Sequence, residues 1–450
     1  MQQRRAATLL SLGLLAVASS AVAQQDAQQD AQQNARPPNV VVILVDDLGY
    51  VDLSFLGSPD MRTPRIDSLA QAGTYFTSAY ATCAVCSPSR AALLTGRYQQ
   101  RFGHEFNLPH RPNRGWGLPS SETTLAHALG NAGYRTIAVG KWHLGLTDNF
   151  HPLERGFDHF YGFLLGGRSY FPQPDGKGRL HKRLQRDREP IEHEDFGYLT
   201  DELGKEAAKY IERFHDVPFF LYLSFSAVHG PLQAPGSRAP AGEDAGQKRS
   251  TLVEMTASLD RAVGSVLDAL DAHELTQNTL VFFLSDHGGA LVNESDNGPL
   301  RGEKGTYFEG GVRIPYILRW PGVAPAGARF EGTVSTLDLV PTVLGAAGLP
   351  SELDGVDLRP YLTGEREGSP HDVLYWRFGN LWGIRQDDWK VVQEEEGAPL
   401  LFHLGRDLGE STDLAAEEPG QLAKLIRTWE TWSATMRPGR WRKYTTLKDD

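Results

Sequence analysis

Four continuous apolar runs in the chain are each followed by residues that can carry chemistry. The runs and the polar residues after them are Val40–Val45 with Asp46 and Asp47, Thr136–Val139 with Lys141 and His143, Phe219–Phe225 with His229, and Leu280–Leu284 with Asp286 and His287. Uninterrupted apolar runs of this length are typical of central strands buried on both faces. Ligands of open α/β sheets bind outside the carboxyl ends of the strands. Side-by-side strands would therefore bring these polar residues to one edge.

Amphipathic stretches alternate with the apolar runs, which predicts an α/β fold with a large, mostly parallel central sheet flanked by helices. The helices are predicted at Thr124–Gly133, Thr200–Phe214, Thr251–His273 and Leu337–Ala347. A fifth strand is predicted at Val312–Leu318. Because Pro315 lies inside that run, we expect an edge or bulge position for this strand.

The pattern changes near residues 358–368, after which short strand-like pieces precede one helix. The pieces are Val373–Phe378, Leu381–Arg385, Trp389–Val392 and Leu400–Leu404, followed by a helix over Pro419–Met436. We expect a small α+β subdomain built on a short antiparallel sheet and packed on the main domain. The predicted boundaries are 39–365 for the catalytic domain and 366–450 for the C-terminal subdomain.

The N-terminal residues are typical of an export signal. Arg4 and Arg5 precede an apolar stretch over residues 6–18, and small residues at 21–23 form a cleavage site, so residues 1–23 are predicted to be a signal peptide. Residues 24–38 are rich in Gln, Asp and Ala and are predicted to be a disordered linker. No other run is long enough to span a bilayer. We expect a periplasmic or secreted protein without a membrane anchor.

The charge and the cysteine count narrow the function classes. The formal net charge of −11 argues against nucleic acid as a partner. An anionic substrate would be repelled at long range, so any site for it must be made locally positive by basic side chains, helix N-termini or a metal. Only Cys83 and Cys86 occur in the 450 residues, which excludes a disulfide scaffold.

The segment from Cys83 to Arg97 carries the strongest local signal. Pro88 suits the first position of a helix and residues 91–94 continue as good helix formers, so Cys86 would lie at a helix N-terminus, where an anion is favoured. Arg90 is four residues on and can share a face with Cys86. Three other interpretations of the Cys-X-X-Cys pattern remain open, namely a redox pair, a local disulfide and half of a zinc site.

The run Cys86-Ser-Pro-Ser-Arg90, followed by Ala-Ala-Leu-Leu-Thr-Gly-Arg97, resembles the signature of the formylglycine-dependent sulfatases, which have an alkaline-phosphatase-like fold. The resemblance covers most of the chain from Asn39 onward. Its further pieces are the strand ends at 46–49, 140–145, 229–231 and 285–288, the segment 301–315, and the late segments 401–404 and 409–414. Together and in this order, these pieces identify the chain as similar to that family.

The resemblance implies a metal centre and a modified residue. Asp46, Asp47, Asp286 and His287 would be metal ligands, and Cys86 would be oxidised by a formylglycine-generating maturation enzyme to an aldehyde that adds an oxygen ligand. Three carboxylates suit a hard cation, Ca²⁺ or alternatively Mg²⁺, better than zinc. An Asp pair after a strand is otherwise a common turn or helix cap.

The resemblance also implies the catalytic roles. Lys141 and His143 would contact the nucleophile and the sulfate, His229 would protonate the leaving group, and Lys304 would be a second sulfate-binding lysine. Arg90 would orient the formylglycine. Each of these residues, taken singly, is equally typical of a solvated loop or helix surface. Glu309 and Arg313 are interpreted as structural. The implied reaction is hydrolysis of a sulfate ester on a sulfated glycan.

Two other functions remain open at this point. One is a phosphate- or phosphonate-ester hydrolase on the same scaffold, and the other is a non-catalytic protein that binds sulfated glycans. Several residues in long loops either bind the rest of a large substrate or are ordinary solvated surface. These residues are His104, His110, Arg111, Arg114, Trp116, Arg168 and the stretch Lys177–Arg188.

Overall fold

The computed structural model describes residues 36–109, 115–172 and 183–441. The predicted signal peptide, and all of the predicted linker except residues 36–38, lie outside the described residues. Within the described ranges, no helix is both long and apolar enough to cross a membrane. The described residues from Pro38 to Trp441 belong to one compact unit. The domain boundary predicted at residue 365 stays a prediction.

Most strands belong to one large sheet. The strands are, in chain order, β1 (Asn39–Val45), β2 (Thr74–Phe76), β3 (Ala79–Tyr80), β4 (Arg135–Lys141), β5 (His159–Phe163), β6 (Gln185–Arg186), β7 (Glu189–Pro190), β8 (Phe219–Ser224), β9 (Thr279–Ser285), β10 (Tyr316–Arg319), β11 (Ala328–Phe330), β12 (Val334–Ser335), β13 (Val373–Phe378), β14 (Leu381–Gln386), β15 (Trp389–Gln393) and β16 (Leu400–His403). Ten of them form a sheet in the order β11-β2-β10-β9-β1-β8-β4-β5-β6-β7. Its centre, from β9 to β5, is parallel, and antiparallel pairs extend it on both sides.

Helices pack on both faces of this sheet, and the last helix described packs on the C-terminal sheet. They are α1 (Pro64–Gln71), α2 (Cys86–Thr95), α3 (Leu125–Asn131), α4 (Leu199–Phe214), α5 (Ala245–Ala272), α6 (Glu309–Val312), α7 (Leu339–Ala346), α8 (Arg359–Leu362) and α9 (Pro419–Ala434). Short 3-10 turns occur at Ser54–Leu56, Gln99–Phe102, Asp148–Phe150, Pro152–Arg155, Thr276–Asn278, Leu291–Asn293 and Thr336–Asp338. The predicted long helix at Thr251–His273 is confirmed, although α5 begins six residues earlier, at Ala245.

The central strand β1 shows why the sequence gives this layered fold. Every residue from Val40 to Val45 is apolar, and alternate side chains point to opposite faces. Val41 and Val45 pack in one buried core with α1, α4 and α5. Val40 and Val42 pack in a second core with α2, α3 and α7. The predicted mostly parallel sheet with helices on both faces is thereby confirmed.

The fifth predicted strand was placed wrongly. Its strand is Tyr316–Arg319, which pairs with β9 on one side and with β2 on the other and is therefore not at an edge. Pro315 lies just before the strand, where its carbonyl oxygen accepts a hydrogen bond from the Ser285 amide at 3.3 Å. The proline is tolerated because its missing N–H is outside the ladder. The preceding residues Glu309–Val312 form a helical turn.

The predicted C-terminal α+β unit is confirmed as a four-stranded antiparallel sheet, β13-β14-β15-β16, with α9 packed on it. A fully buried ion cluster joins it to α6. Lys390 of β15 contacts Glu309 of α6 at 2.7 Å and Glu410 at 3.0 Å. Burial raises the pKa of Glu309, but Lys390 and neighbouring arginines outweigh it and lower that pKa. Glu309 is therefore a structural anion, as the sequence indicated.

Candidate active site

The chemistry-bearing strand ends meet at one edge of the sheet. β9, β1, β8 and β4 lie side by side, the order that the sequence argument required. Val45 pairs with Ser285, so Asp46 and Asp286 leave the sheet next to each other. The Asp46 amide donates to Ala227 O at 2.9 Å, which brings the loop after β8 to the same place. The sheet topology alone therefore gathers the predicted acids, bases and histidines.

Helix α2 directs its N-terminus into this group. Cys86 is its first residue, and the extended residue Val85 precedes it without a side-chain cap. Pro88 is the third helical residue rather than the first, which corrects the sequence prediction by two positions. The amide of Ser87, free of intrahelical bonding at a helix start, donates to Asn107 Oδ1 at 2.9 Å. Ser89 Oγ donates to the carbonyl oxygen of Asp286 at 2.6 Å, which fixes the helix to the end of β9.

Five side chains converge around one point. Cys86 Sγ lies 3.4 Å from Asp46 Oδ1 and 3.3 Å from His287 Nε2. His287 Nε2 in turn lies 3.3 Å from Asp286 Oδ1 and 3.4 Å from Asp47 Oδ1. All five residues are buried. Potential ligand atoms of Asp46, Cys86, Asp286 and His287 lie within 4.8 Å of one another, and Asp47 forms a second such group with Cys86 and His229. Such a cluster has the donor types of a cation site.

The donor chemistry fits a hard divalent cation. Asp286 Oδ1 is buried and has no hydrogen-bond partner among the described residues, although it faces the centre of the cluster. A buried carboxylate oxygen without a donor is unfavourable, and a cation would satisfy it. Three carboxylates with one imidazole favour Ca²⁺ or Mg²⁺ over zinc, which prefers nitrogen and sulfur ligands.

Two lysines balance the charge of the first aspartate pair. Lys141 Nζ contacts Asp46 Oδ2, and Lys304 Nζ contacts Asp47 Oδ1 at 2.6 Å. Burial raises the pKa of Asp46, but Lys141 and other nearby cations outweigh it and hold that pKa well below its usual range. Burial likewise raises the pKa of Asp47, while His229 and Lys304 lower it. Both carboxylates are therefore ionised at neutral pH and can serve as metal ligands.

Arg90 lies beneath the cluster with no exposed side-chain surface. Its Nη2 lies 2.8 Å and its Nε 3.0 Å from Asp286 Oδ2, and its Nη1 donates to Ser224 Oγ. Nη2 also lies 3.7 Å from Asp46 Oδ2. The guanidinium therefore neutralises one oxygen of Asp286 and leaves the other oxygen facing the cluster. Arg90 therefore contacts Asp46 and Asp286, two of the predicted metal ligands.

Two histidines form the walls above the cluster. His143 has φ 58°, a left-handed conformation that is uncommon outside glycine, and its ring lies against Gly166. A Cβ at Gly166 would lie 2.7 Å from His143 Nε2, so any larger residue would displace the His143 ring. His229 Nε2 lies 3.9 Å from Asp47 Oδ2, and its Nδ1 lies 2.7 Å from Gly230 O. That hydrogen bond places the proton on Nδ1 and turns Nε2 toward the cluster.

A cavity of about 680 Å³ opens above these groups. Cys86, His143, His229 and Lys304 contribute to its floor and walls. The remaining lining residues are Asn107, Leu108, Pro109, Gly166, Gly167, Arg168, Ser169, Gly230, Pro231, Gln233 and Pro240. The volume is in the range of pockets that enclose small organic ligands.

Cys83 is not paired with Cys86. Both are free thiols, which removes the local disulfide from the interpretations left open above. Cys83 Sγ lies 3.6 Å from the hydroxyl of Tyr307, and burial raises the pKa of its thiol to about 12. A thiol with so high a pKa is a packing residue rather than a nucleophile. Of the two thiols, only that of Cys86 faces the cluster of aspartates and His287.

The weaker loop candidates separate into different environments. Arg168 lines the cavity, but its guanidinium is paired with Glu194 through two hydrogen bonds of 2.8 and 2.6 Å. His104 lies behind α2, where its Nε2 is 2.7 Å from Ser87 Oγ and burial lowers its pKa to about 3. Trp116 packs near Trp441, at 6.2 Å between ring centroids. His110, Arg111, Arg114 and residues 177–182 lie outside the described residues.

The basic stretch ends in surface ion pairs where it is described. Arg186 contacts Glu206 at 2.9 Å, and Arg188 contacts Glu154. Arg186 also stacks over Tyr161, with its guanidinium carbon 4.6 Å from the ring centroid. Neither arginine lines the cavity. In the described part of the stretch, the solvated-surface interpretation is the better one.

A brace behind α2 was not found from the sequence. Trp441 Nε1 donates to the carbonyl oxygens of Phe106 at 3.1 Å and Asn107 at 3.0 Å. Its ring packs edge-on against His104 with centroids 4.8 Å apart. Since Asn107 and His104 both bond to Ser87, the last described residue supports the start of the helix that carries Cys86.

Comparisons with known proteins agree with this geometry. A family model described as Sulfatase matches residues 38–349. N-acetylgalactosamine-6-sulfatase from Canis lupus familiaris is 35% identical over 449 aligned residues, covering 87% of this chain and 84% of that protein. Arylsulfatase A from Bos taurus is 34% identical, with 84% of each chain covered. The crystal structure of Ps i-CgsB in complex with k-i-k-neocarrahexaose superposes with a TM-score of 0.84 at 36% identity, covering 91% of this chain and 96% of that one.

Proposed function

The chain belongs to the sulfatase family of sulfuric ester hydrolases, and from this premise we propose that it removes sulfate from a saccharide through a formylglycine at position 86 and a divalent cation. The observation that carries the proposal is the meeting of the residue-86 side chain with Asp46, Asp286 and His287 at one buried point. A side chain that served only packing would not need three ionisable neighbours around it.

The cluster residues support a role for both formylglycine and a divalent cation. Formylglycine at position 86 supplies an aldehyde whose hydrate offers a nucleophilic oxygen, which a thiol does not. Ca²⁺, or alternatively Mg²⁺, supplies positive charge that stabilises an oxygen anion and polarises the sulfate. Asp46, Asp47, Asp286 and His287 would hold the cation, with an oxygen of residue 86 as a further ligand. Residue 86 in the first turn of α2 also presents the anion-binding end of a helix.

The cationic side chains stabilise negative charge where it develops. Lys304 contacts Asp47 and lines the cavity beside residue 86, so it can contact an anion bound there. Lys141 is buried against Asp46 outside the cavity lining and offsets charge from within the cluster. Donors held in place before the reaction stabilise a transition state without reorganisation. Arg90 acts as a positioning residue, because it is buried below the cluster and fixes Asp286. It does not reach the cavity, whose lining omits it.

The histidines divide the proton transfers. His229 carries a proton on Nδ1 for Gly230 O, so Nε2 is the atom that can donate a second proton to the leaving oxygen. His143 also lines the cavity and is the candidate to remove a proton from residue 86. Both rings line the cavity beside residue 86, which a general acid and a general base require.

We propose a sulfated oligosaccharide or polysaccharide as the substrate. The relatives bear the names N-acetylgalactosamine-6-sulfatase and arylsulfatase A, and a similar structure holds k-i-k-neocarrahexaose. The cavity of about 680 Å³ accommodates a sugar residue at its base. The predicted signal peptide supports a periplasmic or secreted enzyme, and a formylglycine-generating enzyme is the expected maturation partner.

The decisive experiment joins mass spectrometry to a sulfate-release screen. Protein co-expressed with a formylglycine-generating enzyme is digested, and the peptide carrying residue 86 is expected to contain an aldehyde. The same preparation is screened on defined sulfated oligosaccharides, an aryl sulfate, a phosphodiester and a phosphonate monoester. We expect sulfate release that disappears in Cys86→Ala and after cation removal. Full activity with an intact Cys86 thiol, or faster phosphonate than sulfate hydrolysis, would overturn the proposal.

A further inference from the structure

A second cavity of about 450 Å³ lies at the end of the sheet opposite the candidate active site. Its lining includes Arg319 at the end of β10, Gln277 just before β9, and the loop 321–326. Arg319 pairs with Val281, five residues before Asp286. Because a strand rises about 3.3 Å per residue, roughly 16 Å separates this distal cavity from the cation cluster.

Two of the three guanidinium nitrogens of Arg319 are buried without a partner. The residue is 6% exposed, and its Nε and Nη2 have no hydrogen-bond acceptor among the described residues. It forms no ion pair within the described ranges, whereas the buried Arg90 pairs with Asp286 and the buried Arg168 pairs with Glu194. A buried charge without a counter-charge is strongly unfavourable, and guanidinium does not relieve it by losing its proton.

The surroundings do not supply the missing negative charge. Burial lowers the pKa of Arg319, and the exposed residue Asp271 opposes this only from a distance. The Asp271 carboxylate instead accepts a hydrogen bond from Thr276, which also lines the cavity. The rest of the lining is mostly apolar, with Pro321, Val323 and neighbouring residues of the loop. A mostly apolar cavity with an unpaired cation in its wall lacks an anion.

We propose that the distal cavity binds one small oxyanion, with two of its oxygens accepting hydrogen bonds from Arg319. The planar guanidinium matches the oxygen pairs of sulfate, phosphate and carboxylate, and such bonds strengthen in a low-dielectric setting. The carboxamide of Gln277, which lines the same space, carries two further N–H donors. The net charge of −11 opposes anions at long range, so we expect modest affinity governed by short-range contacts.

Crystals grown without sulfate or phosphate and soaked in selenate give the first test. Selenium has an anomalous signal and selenate reproduces the shape of sulfate. We expect an anomalous peak within hydrogen-bonding distance of the Arg319 guanidinium, separate from any peak beside Cys86. A peak at the active site with none at Arg319, in crystals whose distal cavity is open to solvent, would overturn the proposal. This test needs no variant and does not depend on the proposed catalytic function.

The second test is a thermal-unfolding titration at constant ionic strength. Sulfate, phosphate and acetate are each added to the full chain and to Arg319→Met, because a ligand that binds the folded state raises Tm with its concentration. Lys304→Met serves as the matched control, since it removes an active-site cation and leaves the distal cavity intact. We expect Arg319→Met to lose most of the saturable Tm increase and Lys304→Met to keep a distal component.

Arg319→Met also has an expected thermal stability in the absence of any anion. Arg319→Met removes an unpaired buried charge and keeps a similar apolar volume, so its Tm in anion-free buffer should equal or exceed that of the unchanged chain. Sulfate release from the saccharide substrate should be unchanged. A sulfate response equal to that of the unchanged chain would show that Arg319 is not the ligand. The anion giving the largest Arg319-dependent shift identifies the chemical source.

Discussion

The contact between Gly166 and His143 gives a sharp test of the proposed active site. An alanine methyl at position 166 would lie 2.7 Å from both Cε1 and Nε2 of the imidazole. Ordinary carbon contacts begin near 3.5 Å, so the ring would have to move by about 0.8 Å. Misplacing a catalytic group by about 1 Å can reduce the rate roughly a hundredfold. We therefore expect Gly166→Ala to lower kcat/KM by about 30- to 100-fold.

The next residue provides a matched control. A methyl group at Gly167 would lie 3.5 Å from the nearest atoms of His229, which is an ordinary van der Waals distance. Neither glycine is among the residues with positive φ, so alanine is compatible with the backbone at both positions. We expect Gly167→Ala to retain kcat/KM within about threefold, because no catalytic ring has to move.

The assay is sulfate release by ion chromatography on the best substrate of the screen, normalised to the aldehyde content at position 86. Far-UV circular dichroism and Tm establish that both variants are folded. Because His143 is proposed to act in proton removal, the loss in Gly166→Ala should fall mainly on kcat. Near-normal turnover in Gly166→Ala, or equal losses in the two variants, would refute the assignment of His143.

Three further predictions concern charges. Lys390→Met should lower the free energy of unfolding in urea by about 3–5 kcal/mol, because Glu309 and Glu410 would be left buried without their shared cation; a loss below about 1 kcal/mol would contradict this. Burial lowers the pKa of His287, but adjacent anionic groups outweigh it and raise that pKa to about 9. An imidazole must be neutral to bind a metal ion. In chains with an unmodified thiol, the Ca²⁺ affinity measured by calorimetry should therefore rise up to tenfold per pH unit and level off above the pKa of His287. An affinity that does not change with pH would count against a metal-bound His287. His229→Gln should slow sulfate release from a sugar by about 10² to 10⁴, and release from an activated aryl sulfate far less, since a good leaving group needs no general acid; equal losses would exclude that role.

The sequence predicted the centre of the sheet well for a local reason. Each central strand is an uninterrupted apolar run, such as Val40–Val45, and each run ends abruptly in polar residues. Parallel strands share one carboxyl edge, so correct strands imply a correct gathering of Asp46, Asp286 and Lys141. The only added assumption was the order of the strands in the sheet, which the hydrophobic pattern of a single segment does not reveal.

The parts that the sequence did not predict depend on contacts between distant segments. Gly166 is constrained by the ring of His143, and Asn107 by the amide of Ser87. Neither contact leaves a periodic signal. The prediction placed Pro315 inside a strand, whereas it lies one residue before β10. A shift of one residue decides whether its missing N–H falls inside or outside the hydrogen-bond ladder of the sheet. Short strands such as β2 carry too few residues for alternation to be detected.

The contacts of Trp441, the last described residue, matter for protein production. It holds the loop at Asn107 and the ring of His104, and both of these steady the first turn of the helix with residue 86. A shortened version lacking this tryptophan would therefore loosen the first turn of the helix that carries residue 86. C-terminal truncations and fusions must keep Trp441 and its contacts with Phe106, Asn107 and His104 intact.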